Sequence, residues 1–187
     1  MKIYRKAFAL PLNKKPIEYG GRSIDFLLSE KEADMIEKRF KLKDSVGEGM
    51  WGMAFLTEDD KVLKLTLDDD EYKAALQIKD AQAGAFAKIY DLGELYNENG
   101  YRYYYILKEK VYPLNDTLRM VFNKYEDNQS HEEQKDLKAQ FPVAFEIVET
   151  YYDKMAPFHY EDLYRHDNVG LNSNGEIVSF DARMGYN

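Results

Sequence analysis

The glycine cluster Gly47-Glu48-Gly49-Met50-Trp51-Gly52 constrains this chain more than any other stretch, because strand-like residues lie on both sides of it. The cluster fits G-x-G-x-x-G. In a dinucleotide-binding βαβ unit, a helix must come next and aim its N-terminus at the pyrophosphate. Here the cluster is followed by Met53–Thr57, which has strand character, by the acidic turn Glu58-Asp59-Asp60, and by a second apolar run, Lys61–Leu67. With Lys43–Val46 leading in, the glycines join two antiparallel strands. That excludes a Rossmann unit, and the absence of G-K-[ST] excludes a Walker A loop. Two readings remain: a flexible hairpin turn, or a glycine-rich loop whose amides approach phosphate oxygens with no Cβ in the way.

Lys64 supplies context for that choice. It lies within the apolar run Val62-Leu63-Lys64-Leu65, where a lysine is costly unless its ammonium meets an anion or snorkels to water. The acid placed to hold it is Glu71, at the start of the next predicted helix.

The rest of the chain reads as α+β. Ser29 and Glu32 form a capping box before an amphipathic helix over Glu30–Phe40. Asp68–Asp70 offer N-caps to a helix from about Glu71 to Lys79. Strands over Lys88–Leu95 and Tyr101–Glu109 flank Asn97-Glu98-Asn99-Gly100, whose Asn-Gly marks a hairpin. From Leu114 the pattern turns helical. Ser130 with Glu133 makes a second capping box, and Phe145, Val148, Tyr152 and Met155 recur at helical spacing over Pro142–Met155. A short hairpin, Val169–Leu171 and Glu176–Phe180 around Asn172–Gly175, closes the chain. Strands dominate residues 43–112 and helices the stretch 113–187, with residues 1–42 as an N-terminal extension carrying a helix.

The order of these features from Gly47 to Asp181 resembles the protein-kinase-like superfamily, in a compact bacterial or bacteriophage form. Tyr105-Ile106-Leu107-Lys108-Glu109-Lys110-Val111 is similar to the last strand of a kinase N-lobe running into the hinge. Asp162-Leu163-Tyr164-Arg165-His166-Asp167-Asn168-Val169-Gly170-Leu171 resembles a catalytic loop, and Phe180-Asp181-Ala182-Arg183 a metal-binding segment. The resemblance implies a two-lobed fold with an antiparallel N-lobe sheet and a minimal, mostly helical C-lobe built chiefly from residues 114–160. It also implies ATP and Mg²⁺ bound between the lobes. Gly47, Gly49 and Gly52 would cover the phosphates, and Lys64, held by Glu71, would contact them. Backbone groups of Glu109 and Val111 would read the adenine edge, while Asn168 and Asp181 would hold Mg²⁺ through oxygen ligands.

The chain departs from the family pattern twice. The catalytic aspartate is expected five residues before the asparagine, where Leu163 stands. Asp162 lies one residue further back, and Asp167 beside Asn168 is a second candidate base. The glycine expected after Asp181 is replaced by Ala182. The resemblance therefore implies an ATP/Mg²⁺ phosphotransferase acting on a protein hydroxyl. The alternatives are a pseudokinase-like module that binds or inhibits a partner protein, and a kinase-like transferase that moves AMP.

Composition limits other functions. The chain of 187 residues has no cysteine, which removes disulfides, thiolate zinc sites and thiol nucleophiles and suits a reducing, cytoplasmic setting. Residues 1–43 carry 11 basic and 6 acidic side chains, whereas the remainder carries 15 and 28. The basic segment could dock on an acidic partner or form ordinary solvated surface. The acidic body disfavours nucleic acid. No apolar run approaches the ~18 residues of a membrane span, and Pro11 interrupts Ala7–Leu12, so a signal peptide is not expected. His131, His159 and His166 lack metal-ligand spacing, there is no G-x-S-x-G, and Asp68–Glu71 reads as helix capping rather than a calcium loop.

Overall fold

The computed structural model describes residues 28–49, 52–81, 84–127, 130–161 and 163–184. These residues form an α+β protein with five helices and a five-stranded antiparallel sheet. In chain order the elements are α1 (Glu30–Phe40), β1 (Leu42–Gly49), β2 (Gly52–Thr57), β3 (Lys61–Thr66), α2 (Asp69–Ala81), β4 (Ile89–Tyr96) and β5 (Arg102–Glu109). There follow α3 (Asp116–Asp127), α4 (His131–Gln140), α5 (Pro142–Met155), β6 (Tyr160–Glu161), β7 (Val169–Leu171), β8 (Ile177–Ser179) and β9 (Arg183–Met184). The chain divides into two compact units. One comprises Met1–Tyr72 with Tyr90–Lys108, the other Lys73–Ile89 with Glu109–Asn187.

The first unit is the sheet, in the order β1-β2-β3-β5-β4. Side chains on its strands point alternately to two faces, which are unlike. Met53, Phe55, Leu63, Leu65, Tyr103 and Tyr105 form a buried apolar cluster on one face, and Ile36 of α1 joins it. So α1, assigned from sequence to an N-terminal extension, belongs to this core. It is held there by Phe40 against Tyr105, with ring centroids 5.1 Å apart, and by Arg39, which donates to the Tyr105 hydroxyl at 3.0 Å. Gly93 leaves room for that tyrosine, since a Cβ there would lie 2.8 Å from its ring. The start of α1 is fixed by both arms of the Ser29–Glu32 capping box. Along the sheet edge, β1 carries register shifts at two points, which bend an otherwise exposed ladder.

On the opposite face, Gly47 pairs with Ala54 and Ala54 with Lys64. Tyr104, on this face by alternation, stacks on Tyr72 of α2 at 4.2 Å and donates to Asp69 at 2.5 Å. The start of α2 is capped by Asp68, whose Oδ1 accepts from the amides of Asp70 (3.0 Å) and Glu71 (3.3 Å).

The second unit is mainly helical. Leu118, Val121, Phe122, Leu137, Phe145, Val148, Tyr151 and Met155 form its core with Leu163, Val169 and Ile177. Ser130 caps α4 through the Glu133 amide, but the Glu133 carboxylate accepts from the Ser130 hydroxyl instead of its backbone, so the predicted box is half formed. The β7–β8 hairpin is bracketed by neighbouring backbone: Ala87 N–H donates to Ser179 at 2.8 Å, and Tyr112 exchanges hydrogen bonds with Leu171 at 2.8 and 2.7 Å. Residues 73–89 thus belong with this unit, although the sequence grouped them with the strands.

The β4–β5 and β7–β8 hairpins use one local device. In Asn97-Glu98-Asn99-Gly100 and Asn172-Ser173-Asn174-Gly175, the first asparagine's side chain accepts two amides within its own turn. The glycine takes φ +79° in each, the left-handed conformation that closes a three-residue hairpin loop.

Alkaline stability tests the first core. Burial, reinforced by the Glu32 charge, pushes the Tyr103 phenol up to about 12, and burial with the Asp69 hydrogen bond does the same for Tyr104. In the unfolded chain these phenols ionise near their ordinary value of about 10. The neutral forms therefore stabilise the fold fully below about pH 10, and that stabilisation is lost as pH rises toward about 12. Urea midpoints measured across that interval should fall steeply, and Tyr103→Phe should flatten the slope.

Candidate functional site

Lys64 and Glu71 come together as expected. The Lys64 ammonium lies 2.7 Å from Glu71 Oε1, with the two side chains only 17% and 5% exposed. The sequence produces this locally. Strand alternation turns Lys64 away from the apolar cluster, and the short Leu67–Asp68 link starts α2 so that its first turn stands over the same face. Beside the lysine lies a floor of small residues, Ala54 and then Gly47.

The three glycines have different roles. A Cβ on Gly52 would lie 2.0 Å from the Leu65 carbonyl oxygen, so the close approach of β3 demands glycine there. A Cβ on Gly47 would meet only the Ala54 Cβ at 3.9 Å, an ordinary contact. Its φ is not positive either, so nothing among the described residues requires glycine at 47. Gly49 pairs with Gly52 at the end of the ladder. Met50 and Trp51, at the tip of the predicted loop, lie outside the described residues.

In the second unit the hairpin returns the chain upon itself. Phe180 N–H donates to the Asn168 carbonyl at 3.0 Å, which brings the backbone at Asn168 next to that at Asp181. Both residues supply hard oxygen donors. Among the described residues no group of three His, Asp or Glu side chains gathers to hold a metal. Oxygen donors of this kind are ones that Mg²⁺ accepts, alongside phosphate and water.

The loop preceding Asn168 is anchored rather than open. Leu163 is 1% exposed within the helical core, and its carbonyl accepts from the Tyr151 hydroxyl at 2.6 Å. Tyr164 stacks on Tyr152 at 5.0 Å. Asp162, the first candidate base, lies outside the described residues. Asp167, the second, is gripped by Arg165 through two hydrogen bonds of 3.1 and 2.8 Å. Those bonds hold its carboxyl below the usual carboxylate range. A carboxylate so stabilised is a weaker proton acceptor.

Glu109 is tied into the second unit. Its N–H donates to the Lys88 carbonyl at 2.8 Å, and its carboxylate accepts from the Lys88 amide and the Ser173 hydroxyl, each at 3.3 Å. Val111 runs against β7, where a Cβ on Gly170 would lie 3.2 Å from the Val111 Cβ. His131, His159 and His166 are all exposed.

Sequence reasoning passed over two residues, Ala54 and Lys108. Ala54 was legible in the alternation Gly52-Met53-Ala54-Phe55, small on one face and large on the other. Lys108, 7% exposed, ends an apolar run just as Lys64 interrupts one. No family model matches this chain, and no curated protein matches its sequence. No helix among the described residues is long and apolar enough to cross a membrane.

Proposed function

We propose that this protein is a Mg²⁺-nucleotide phosphotransferase of the protein-kinase-like type, using ATP and acting on a protein hydroxyl. The observation that carries this reading is the buried Lys64–Glu71 ion pair between β3 and the helix after it. It is supported by an antiparallel sheet in the order β1-β2-β3-β5-β4, which is compatible with a kinase-like fold. In such enzymes a strand lysine paired with a helix glutamate neutralises phosphate charge, and catalysis is mostly positioning and electrostatics.

In this reading Lys64 contacts the phosphates and Glu71 fixes its ammonium. Gly47 and Gly49 admit the phosphates to the β1–β2 backbone, and Asp162 aligns the attacking hydroxyl. Asn168 and Asp181 would hold Mg²⁺, which when bound spreads the charge developing on the transferred group. A second reading, a binding module for a partner protein, is favoured by the loop before Asn168. There the family's catalytic position is filled by the buried Leu163, and Asp167 is engaged by Arg165.

Ligand-dependent melting tests the first reading. At about 100 times its dissociation constant, Mg²⁺-ATP should add about 2.7 kcal/mol to the wild type, and Lys64→Ala and Asp181→Ala should lose most of that gain. A wild type that gains nothing overturns the nucleotide site. If both variants respond like the wild type, the residue assignments are wrong. Label transferred from the γ- but not the α-phosphate identifies a kinase, the reverse an AMP transferase, and neither, across acceptors, the binding module.

A further inference from the structure

We propose that the basic segment at residues 3–10 of this chain pairs along β4 as a further strand of the sheet. This contact is independent of the nucleotide site proposed above.

The strand β4 ends the order β1-β2-β3-β5-β4, so among the described residues its outer edge has no strand beside it. Such an edge offers backbone donors and acceptors to an extended chain. Lysine and proline commonly blunt an edge, yet the eight residues of β4 include neither. Gly93 lies against Tyr105, and Leu95 packs with the buried cluster. Alternation therefore puts Tyr90, Leu92, Glu94 and Tyr96 on the other face. Tyr90 and Tyr96 are 40% and 61% exposed there. Asp91 is turned back on its own surroundings, accepting from the Tyr105 hydroxyl and the Leu92 amide. Glu94 accepts from the Tyr96 hydroxyl at 3.0 Å and lies 3.7 Å from Arg102, and its side chain stays exposed. This face of β4 carries one acid among apolar and aromatic groups, and no base.

The described chain begins beside this edge. The Glu32 carboxylate accepts from the Ser29 amide at 2.6 Å and from the Glu98 amide at 2.7 Å. The start of α1 therefore stands next to the turn that follows β4, whereas its other end leads into β1 at the far edge of the sheet. Residues 1–27 lie outside the described residues. Within them, residues 3–10 read Ile-Tyr-Arg-Lys-Ala-Phe-Ala-Leu, with two bases, no acid and Pro11 just after. In an extended chain Tyr4, Lys6, Phe8 and Leu10 share one face, a single base among apolar and aromatic groups. With Lys6 across from Glu94, Tyr4 and Phe8 fall across from Leu92 and Tyr96 in either strand direction. Opposite charges and pairs of aromatic with apolar side chains are favourable cross-strand combinations. Residues 11–27, extended at about 3.3 Å each, reach either end of a strand about 26 Å long.

Two measurements on the full chain test the pairing. A carbodiimide joins a carboxylate to a touching ammonium as an amide, with loss of water. Mass spectrometry should then find Lys6 joined to Glu94 in the monomer fraction. Hydrogen exchange should show the amides of β4 protected to the level of those in β5. Lys6→Glu should speed exchange in β4 by about tenfold, and Lys6→Glu/Glu94→Lys should return it to within about twofold of wild type. The pairing is overturned if the crosslink is absent, or if it forms only in a dimer, which would assign the edge to a second copy. It is overturned equally if Lys6→Glu leaves β4 exchange unchanged or the double variant fails to restore protection. The wild-type crosslink decides the matter alone should a variant not fold.

Discussion

Gly52→Ala is expected to destabilise the protein by about 3 kcal/mol, the upper part of the usual range for a side chain forced into packed structure. At about 2–4 °C per kcal/mol for a chain of this size, the melting temperature should fall by roughly 6–12 °C. The cause is backbone, not side chain. The new Cβ would sit 2.0 Å from the Leu65 carbonyl oxygen and 3.0 Å from its carbon, and neither can rotate away. Relief requires β2 and β3 to separate, and that strains the register Gly52–Thr66 and Met53–Leu65 that positions Lys64. Gly47→Ala is the control. With only the Ala54 Cβ nearby at 3.9 Å, it should change stability by less than about 1 kcal/mol while weakening nucleotide binding. Thermal denaturation of the two variants, with and without Mg²⁺-ATP, separates a glycine kept by the fold from one available to a ligand. Equal losses of stability at both positions would refute that distinction.

The second large effect is at the ion pair. Lys64→Met should cost about 3–5 kcal/mol, because it removes the 2.7 Å partner of a carboxylate that is 5% exposed. The double variant Lys64→Met/Glu71→Leu should recover most of that loss, since an apolar pair of similar volume replaces a desolvated ion pair at little cost. Denaturant unfolding of the single and double variants measures the coupling. Recovered stability should not bring recovered nucleotide binding, because the ammonium proposed to contact the phosphates is gone from both. If the double variant regains Mg²⁺-ATP stabilisation, Lys64 is a structural residue and the proposed site loses its main support.

Much of the fold was legible because its signals are local. The helices Glu30–Phe40 and Pro142–Met155 occupy their predicted spans. The Ser29–Glu32 box closes within one turn and depends on nothing distant. Asn-x-Asn-Gly built both hairpins for the same reason: each asparagine satisfies its own turn, and each glycine supplies the positive φ. The pair β6–β9 was not legible. Two-residue strands carry too little periodicity, and Tyr160 pairs with Met184 across the whole β7–β8 hairpin.

The site was legible in part. A lysine in an apolar strand, followed by an acid at a helix start, announced the Lys64–Glu71 pair through the cost of leaving that charge alone. The separate roles of Gly47 and Gly52 could not be read, because the atom that decides them, the Leu65 carbonyl, belongs to another strand. The burial of Leu163 was equally hidden, since it depends on α5 and on the Tyr151 hydroxyl.

The sequence by itself determined most of the longer strands, the helices Glu30–Phe40 and Pro142–Met155 and two turns, that the glycine cluster lies in a hairpin, and which lysine needs an anion. Capping, turn chemistry and hydrophobic alternation each act over a few residues, so composition and spacing suffice to specify them. Only the tertiary structure decided the strand order β1-β2-β3-β5-β4, the membership of α1 in the sheet core, and the burial of Leu163. Those outcomes depend on which apolar surfaces bury one another across long stretches of chain, and no local pattern encodes that choice.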